Sequence, residues 1–187
     1  MSTFLKKNQQ AGFTLIETLI AVLILATSIA GPLTIASKSL TTALVAKDQI
    51  SAFFLAQDAV EYVRFARDSN KRASTNWLTG SGGTETDLSP CNTVNGCYID
   101  STNNSPTAPT ACSAAGCPTP TLNYDSTNSR FTYAAVAAGI SKTIYTRTIT
   151  LTQITTAEYR VTVTVSWSGV GTAVRSVTVS EYIYNWQ

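Results

Sequence analysis

Few side chains in this sequence could carry covalent chemistry. There is no histidine, the commonest general base near neutral pH and the commonest zinc ligand, so no serine or cysteine has an imidazole to activate it. Gly80-Ser81-Gly82-Gly83 lacks the lysine and the strand-to-helix setting of a phosphate loop. Asp58 and Glu61 stand three residues apart, which puts them on one helix face; a solvated charged face explains them more cheaply than an acid–base pair. The four cysteines, Cys91, Cys97, Cys112 and Cys117, sit in a Ser/Thr/Pro-rich stretch without tight ligand spacing. They point to disulfides in an exported domain and not to a metal centre or cofactor. Pairing 91 with 97 and 112 with 117 closes two short loops, and crossing the pairs would staple the whole stretch; the sequence does not choose. Either way the expected role is to stiffen an exposed loop. The residue most out of place is Glu17, an acid within an apolar run, whose membrane insertion costs about 2 to 3 kcal/mol.

The element that carries Glu17 is defined by charge and hydropathy. Hydrophobic residues make up 44% of the chain and charged ones 13%, low in charge for a water-soluble protein, because residues 18–37 hold no charged side chain. Such a run crosses a bilayer core of about 30 Å as a helix. Lys6 and Lys7 precede it and account for the formal net charge of +2. They read as a positive-inside signal that keeps the head in the cytoplasm and sends the residues beyond the apolar run outside. Residues 1–12 form a short polar leader ending in Gly12, and Gly31-Pro32 is expected to kink or loosen the helix. A secretory signal cut after Ser28-Ile29-Ala30 fits a small-x-small site, but Pro32 close behind it and Glu17 within the run oppose it.

Beyond residue 37 the pattern becomes amphipathic. Ala36, Leu40, Ala43, Ala46, Ile50, Phe53, Ala56, Val60 and Val63 follow spacings of three and four, which predicts one helix from about Thr14 to Asn70 with residues 38–70 as its amphipathic half. Residues 71–129 are rich in Ser, Thr, Asn, Gly and Pro and read as loop, with 101–121 a surface loop. From residue 130 the pattern is β: Tyr159, Val161, Val163, Val165 and Trp167 alternate with polar residues, Gly169-Val170-Gly171 turns the chain, and Val177, Val179 and Ile183 continue a core face. The expected class is α+β, a long N-terminal helix covering one face of a C-terminal antiparallel meander of three or four strands.

Gly12-Phe13-Thr14-Leu15-Ile16-Glu17, with Lys6 and Lys7 ahead of it, resembles the signature of the type IV prepilins. The resemblance implies a pilin fold, cleavage by a membrane-embedded prepilin peptidase between Gly12 and Phe13, and methylation of the new Phe13 amino group. It also implies that Glu17 meets the charged N-terminus of a neighbouring subunit inside a helical filament, which would offset part of its desolvation. A second resemblance, to the minor pilins and type II secretion pseudopilins, lies in Leu55-Ala56-Gln57, Glu61-Tyr62-Val63-Arg64, Arg67-Asp68, the aromatic-x-Arg-x-Ile pattern Tyr145-Thr146-Arg147-Thr148-Ile149 and the terminal Tyr182-Ile183-Tyr184-Asn185-Trp186. Residues 13–37 would then be the transmembrane and filament-core half of the helix.

These readings converge on a non-enzymatic structural subunit, of minor-pilin kind, held in the inner membrane before assembly into an extracellular or envelope-spanning filament. Its partners are the prepilin peptidase, other pilin or pseudopilin subunits and the membrane. The alternatives are a type II secretion pseudopilin and a membrane-anchored binding module that never polymerises. Nucleic acid is not an expected partner: outside Lys6 and Lys7 the charges balance, and the basic residues Lys47, Arg64, Arg67, Lys71 and Arg72 are interleaved with Asp48, Asp58, Glu61 and Asp68.

Overall fold

The computed structural model describes residues 12–81, 86–101, 109–117, 121–169 and 173–185. The leader with Lys6 and Lys7, Gly82 and Gly83, most of the Gly169-Val170-Gly171 turn and Trp186 lie outside the described residues. The chain divides into two compact units, Met1–Leu44 and Val45–Gln187. One helix, α1 (Leu15–Arg72), runs through both and extends two residues past its expected end.

In the first unit α1 begins on Thr14. The Glu17 N–H donates to the Thr14 carbonyl at 3.1 Å and to its hydroxyl at 3.3 Å, so Thr14-x-x-Glu17 has the spacing of a capping box and puts an acid in the positive first turn. Every described residue from 12 to 44 is exposed. An 18-residue stretch of the helix has a mean hydropathy of 2.2, long and apolar enough to cross a membrane. Its hydroxyls are internally satisfied: Thr18, Thr27, Ser28, Thr34, Ser37, Thr41 and Thr42 each donate to a carbonyl three or four residues back. The helix continues through Pro32, whose missing N–H takes the ordinary partner from the Ser28 carbonyl.

In the second unit α1 buries Ala52, Leu55, Ala56, Ala59, Val60, Tyr62, Val63, Ala66 and Asn70. This corrects the expected stripe. Within it Ile50 is 57% exposed and Phe53 43%, while Ala56, Val60 and Val63 are covered. Repeated steps of mostly three lag behind about 3.6 residues per turn, so the line from Ala36 to Val63 winds roughly half way round the helix. The face that packs is the straighter series 52, 55/56, 59, 62/63, 66, made mostly of alanines that let the sheet approach closely.

The sheet is antiparallel with seven described strands: β1 (Cys97–Tyr98), β2 (Thr110–Ala111), β3 (Thr121–Asp125), β4 (Arg130–Thr132), β5 (Ile140–Thr155), β6 (Glu158–Ser168) and β7 (Val174–Tyr184). The expected meander is β5-β6-β7, paired without a break from Tyr159–Ile183 through Trp167–Arg175. Tyr145, Arg147, Ile149 and Leu151 on β5 and the five expected residues of β6 turn inward. Their polar neighbours form an outer array rich in hydroxyls, in which Thr148, Thr164 and Thr178 are cross-strand neighbours, as are Thr150, Thr162 and Ser180.

The region read as loop contributes more than expected. A short 3₁₀ turn, Ser89–Cys91, and strands β1 to β3 lie within it, and Trp77, Leu78, Leu88, Ile99 and Leu122 join the core. These strands are too short to show a period.

Candidate assembly motif and the Arg147 junction

The described part of the motif lies at the start of α1. Gly12 has nothing within 4 Å of where a Cβ would sit, so no packing within the described chain demands a glycine there. Phe13 is 80% exposed and Glu17 lies exposed in the first turn. Gly31 is equally unhindered. The motif residues are therefore brought together by sequence adjacency on one helix start and make no pocket of their own.

The cysteines pair as Cys91–Cys97 and Cys112–Cys117, the two short loops. Cys91 and Cys97 are both fully buried in the core, while the residues they enclose, 92–95, are exposed, as are residues 113–116 within the second loop. No group of three or more metal-binding side chains occurs among the described residues.

The densest polar site of the second unit is only partly legible in sequence. Arg147, part of the aromatic-x-Arg-x-Ile pattern, is 1% exposed. Its Nη1 donates to the Leu55 carbonyl at 2.9 Å and to Asp58 Oδ2 at 2.7 Å, and its Nη2 donates to the Ile99 carbonyl at 2.9 Å. Its guanidinium carbon lies 5.8 Å from the Tyr133 ring centre, within cation–π range. Burial pushes the Tyr133 hydroxyl pKa up, against the pull of the Arg147 charge. The Ser101 hydroxyl adds a 2.7 Å bond to Asp58 Oδ2. Asp58, read as part of a solvated face, is thus the counter-ion of a buried cation, while Glu61 pairs with Arg64 at 3.4 Å on the exposed side. A buried guanidinium persists only when paired and hydrogen-bonded; here the helix supplies the Leu55 carbonyl and Asp58 and the segment after β1 supplies the Ile99 carbonyl, while Nε has no hydrogen-bond partner among the described residues.

A second polar anchor sits near the helix end. Asn70 is fully buried; its amide donates to the Thr86 and Trp77 carbonyls at 2.9 and 3.3 Å, and its side-chain oxygen accepts the Thr86 N–H at 3.2 Å. Farther out, Arg64 donates through Nε to Glu181 on β7 at 2.9 Å, which pushes its pKa up. Lys71 reaches the Asn185 side chain at 3.2 Å. None of these clusters couples a nucleophile to a base, and their geometry is that of helix-to-sheet attachment.

Residues 7–31 match the family model of the prokaryotic N-terminal methylation motif. No curated protein and no solved structure matches the chain. With that motif heading a long apolar helix that packs, in its second part, on an antiparallel sheet, the chain carries the type IV pilin and pseudopilin signature, a structural and not an enzymatic family type.

Proposed function

We propose that the protein is a structural subunit, of minor-pilin kind, of a type IV pilus-like filament and has no catalytic role. In this reading the peptidase cuts between Gly12 and Phe13, the Phe13 amino group is methylated, and Glu17 pairs with the N-terminus of a neighbouring subunit. The observation that carries it is the methylation motif over residues 7–31 leading straight into an apolar helix whose side chains from 13 to 44 are all exposed. Exposed apolar surface of that extent needs lipid first and other helices afterwards. Before assembly the chain is a single-pass inner-membrane protein with its second unit outside. The unhindered Gly12 supports a role as a cleavage determinant, because its lack of a side chain serves no internal packing.

N-terminal mass analysis of membrane and sheared-filament fractions tests this: a methylated Phe13 terminus is expected, and an intact Met1 or a terminus at Gly31 would overturn it. The same motif heads pseudopilins, so surface filaments and exoprotein release are compared after deletion; loss of filaments with normal release is expected.

A further inference from the structure

One five-residue stretch links the buried disulfide to α1. Cys97 is bonded to Cys91 and pairs with Ile149 on β5. Two residues on, the Ile99 carbonyl accepts from Arg147; two further on, the Ser101 hydroxyl donates to Asp58. The stretch therefore completes the partners of both members of the Arg147–Asp58 pair. Its ladder pairing with β5 is slight, since β1 has two residues and a single register pair there; the rest of its hold comes from the pairing of β1 with β2, the Tyr98–Tyr133 ring contact and Asp100, which accepts from the Thr132 hydroxyl at 3.1 Å and the Tyr133 N–H at 3.2 Å. The loop closed by Cys91 and Cys97 is also short, with a sequence separation of 6, so the chain-entropy effect of closing it is at the small end for a disulfide. Its more specific consequence is where it holds Ile99 and Ser101. The second disulfide begins just after the edge strand β2, with the Cys112 N–H donating to the Gly96 carbonyl at 2.8 Å, but among the described residues it makes no hydrogen bond to Arg147 or Asp58.

We propose that Cys91–Cys97 is a redox latch on the docking of helix residues 52–66 against the sheet. Oxidised, it presents Ile99 and Ser101 to Arg147 and Asp58. Reduced, it releases both contacts, leaving a buried guanidinium with the Leu55 carbonyl and a half-exposed carboxylate, and the helix face loosens. Closure is thiol–disulfide exchange with a disulfide oxidant such as oxidised glutathione: Cys91 and Cys97 lose two protons and two electrons as their sulfurs bond, and the oxidant's S–S bond breaks to give two thiols. On the topology proposed above, that places closure after export.

Hydrogen exchange on the full-length protein in detergent micelles tests the latch. Dithiothreitol is expected to lower protection about tenfold across residues 52–66 while leaving β6 and β7 protected, and oxidised glutathione to restore it. The Cys112→Ser/Cys117→Ser variant is expected to respond like the wild type. Arg147→Met, which fills the site without charge, is expected to lose the response, since the released acceptors no longer serve a cation. Equal protection in reduced and oxidised protein would overturn the latch. So would a loss spread evenly over the helix and β6–β7, or an Arg147→Met response as large as the wild type's, because the disulfide would then act on the whole domain and not through Arg147.

Discussion

Arg147 on β5 and Asp58 on α1, 89 residues apart in the chain, meet at 2.7 Å, with Arg147 sealed from solvent and Asp58 about half open to it, its side chain 49% exposed. The asymmetry gives the pair its character. The cation is committed to the interior and depends on every acceptor around it; the acid keeps water as an alternative. The contact therefore fixes where the helix sits on the sheet, since Arg147 also binds the Leu55 carbonyl, one turn before Asp58.

Loss of the cation should be costlier than loss of the acid. Arg147→Ala leaves a cavity, removes the donor to the buried Ile99 carbonyl and strips Asp58 of its partner, and is expected to destabilise the domain by about 3 to 5 kcal/mol. Asp58→Asn keeps an acceptor for Arg147 and Ser101 but leaves the buried cation without its counter-ion, and is expected to cost about 2 kcal/mol. Urea unfolding monitored by tryptophan fluorescence measures both, and equal losses would contradict the asymmetry.

Gly96 should not tolerate a side chain. At φ +70° it occupies the left-handed region, and an added Cβ would lie 2.4 Å from the Ile149 carbonyl oxygen, so backbone of β5 would have to move. Gly96→Ala is expected to cost about 2 kcal/mol or more and to separate β1 from β5, read as faster hydrogen exchange at Ile149 and Ile99. A stability within about 0.5 kcal/mol of wild type would show that the loop relaxes freely.

The long helix, the β5-β6-β7 meander and the α+β class are legible in the sequence because each rests on a periodic run longer than its neighbours' noise. The rest depends on contacts that no period encodes. Arg147 stands out as a charge on an inward-facing strand position, a visible signal, but its acceptors are two backbone carbonyls and an acid that on the helix looks like any solvated residue. Asn70 reads in sequence only as the helix end, and its burial against Trp77 and Thr86 is what reveals it as an anchor. Strands β1 and β2, two residues each, are set by the β5 edge, remote in sequence, and by the buried disulfide that ends on Cys97, the first residue of β1. Thr14 and Glu17 have the spacing of a capping box, a local signal that the sequence does carry.

Asn70→Ala removes three hydrogen bonds that tie Trp77 and Thr86 to the helix. With the Thr86 N–H and carbonyl left buried, the expected cost is about 2 to 3 kcal/mol. Limited proteolysis is expected to cut first between residues 73 and 90, and a variant cut no faster there than wild type would refute the anchoring role.

Acid should loosen the β3–β4 hairpin before the rest of the sheet. Asp125 is held below the ordinary aspartate pKa, first by the Asn128 amide at 2.7 Å and then by the Asn128 and Thr127 N–H groups and Arg130. Because its folded pKa is lowered, its stabilisation is complete above the unfolded value of about 3.9 and fades as pH falls through the folded one. Asp125→Asn is expected to lose stability near neutral pH and to flatten the acid limb of the stability profile. An unchanged acid limb would show that the turn contributes nothing to it.

Glu17 has two separable parts to play at the head of α1, and substitutions can divide them. Its backbone N–H joins the Thr14 cap, while its charge is the part proposed to meet a neighbouring N-terminus. Thr14→Ala removes the cap and is expected to fray the helix start by about 1 kcal/mol without excluding the protein from filaments. Glu17→Gln keeps the shape and the capping spacing but not the charge, and an uncharged residue also enters a membrane more easily. It is therefore expected to be inserted and cut after Gly12 as the wild type is, yet to fall about tenfold or more in sheared filaments, the effect of losing about 1.4 kcal/mol of subunit contact. Cleavage is read by N-terminal mass and incorporation by the filament-to-membrane ratio in the same cells. Normal incorporation of Glu17→Gln would leave the acid with only its place in the first helical turn.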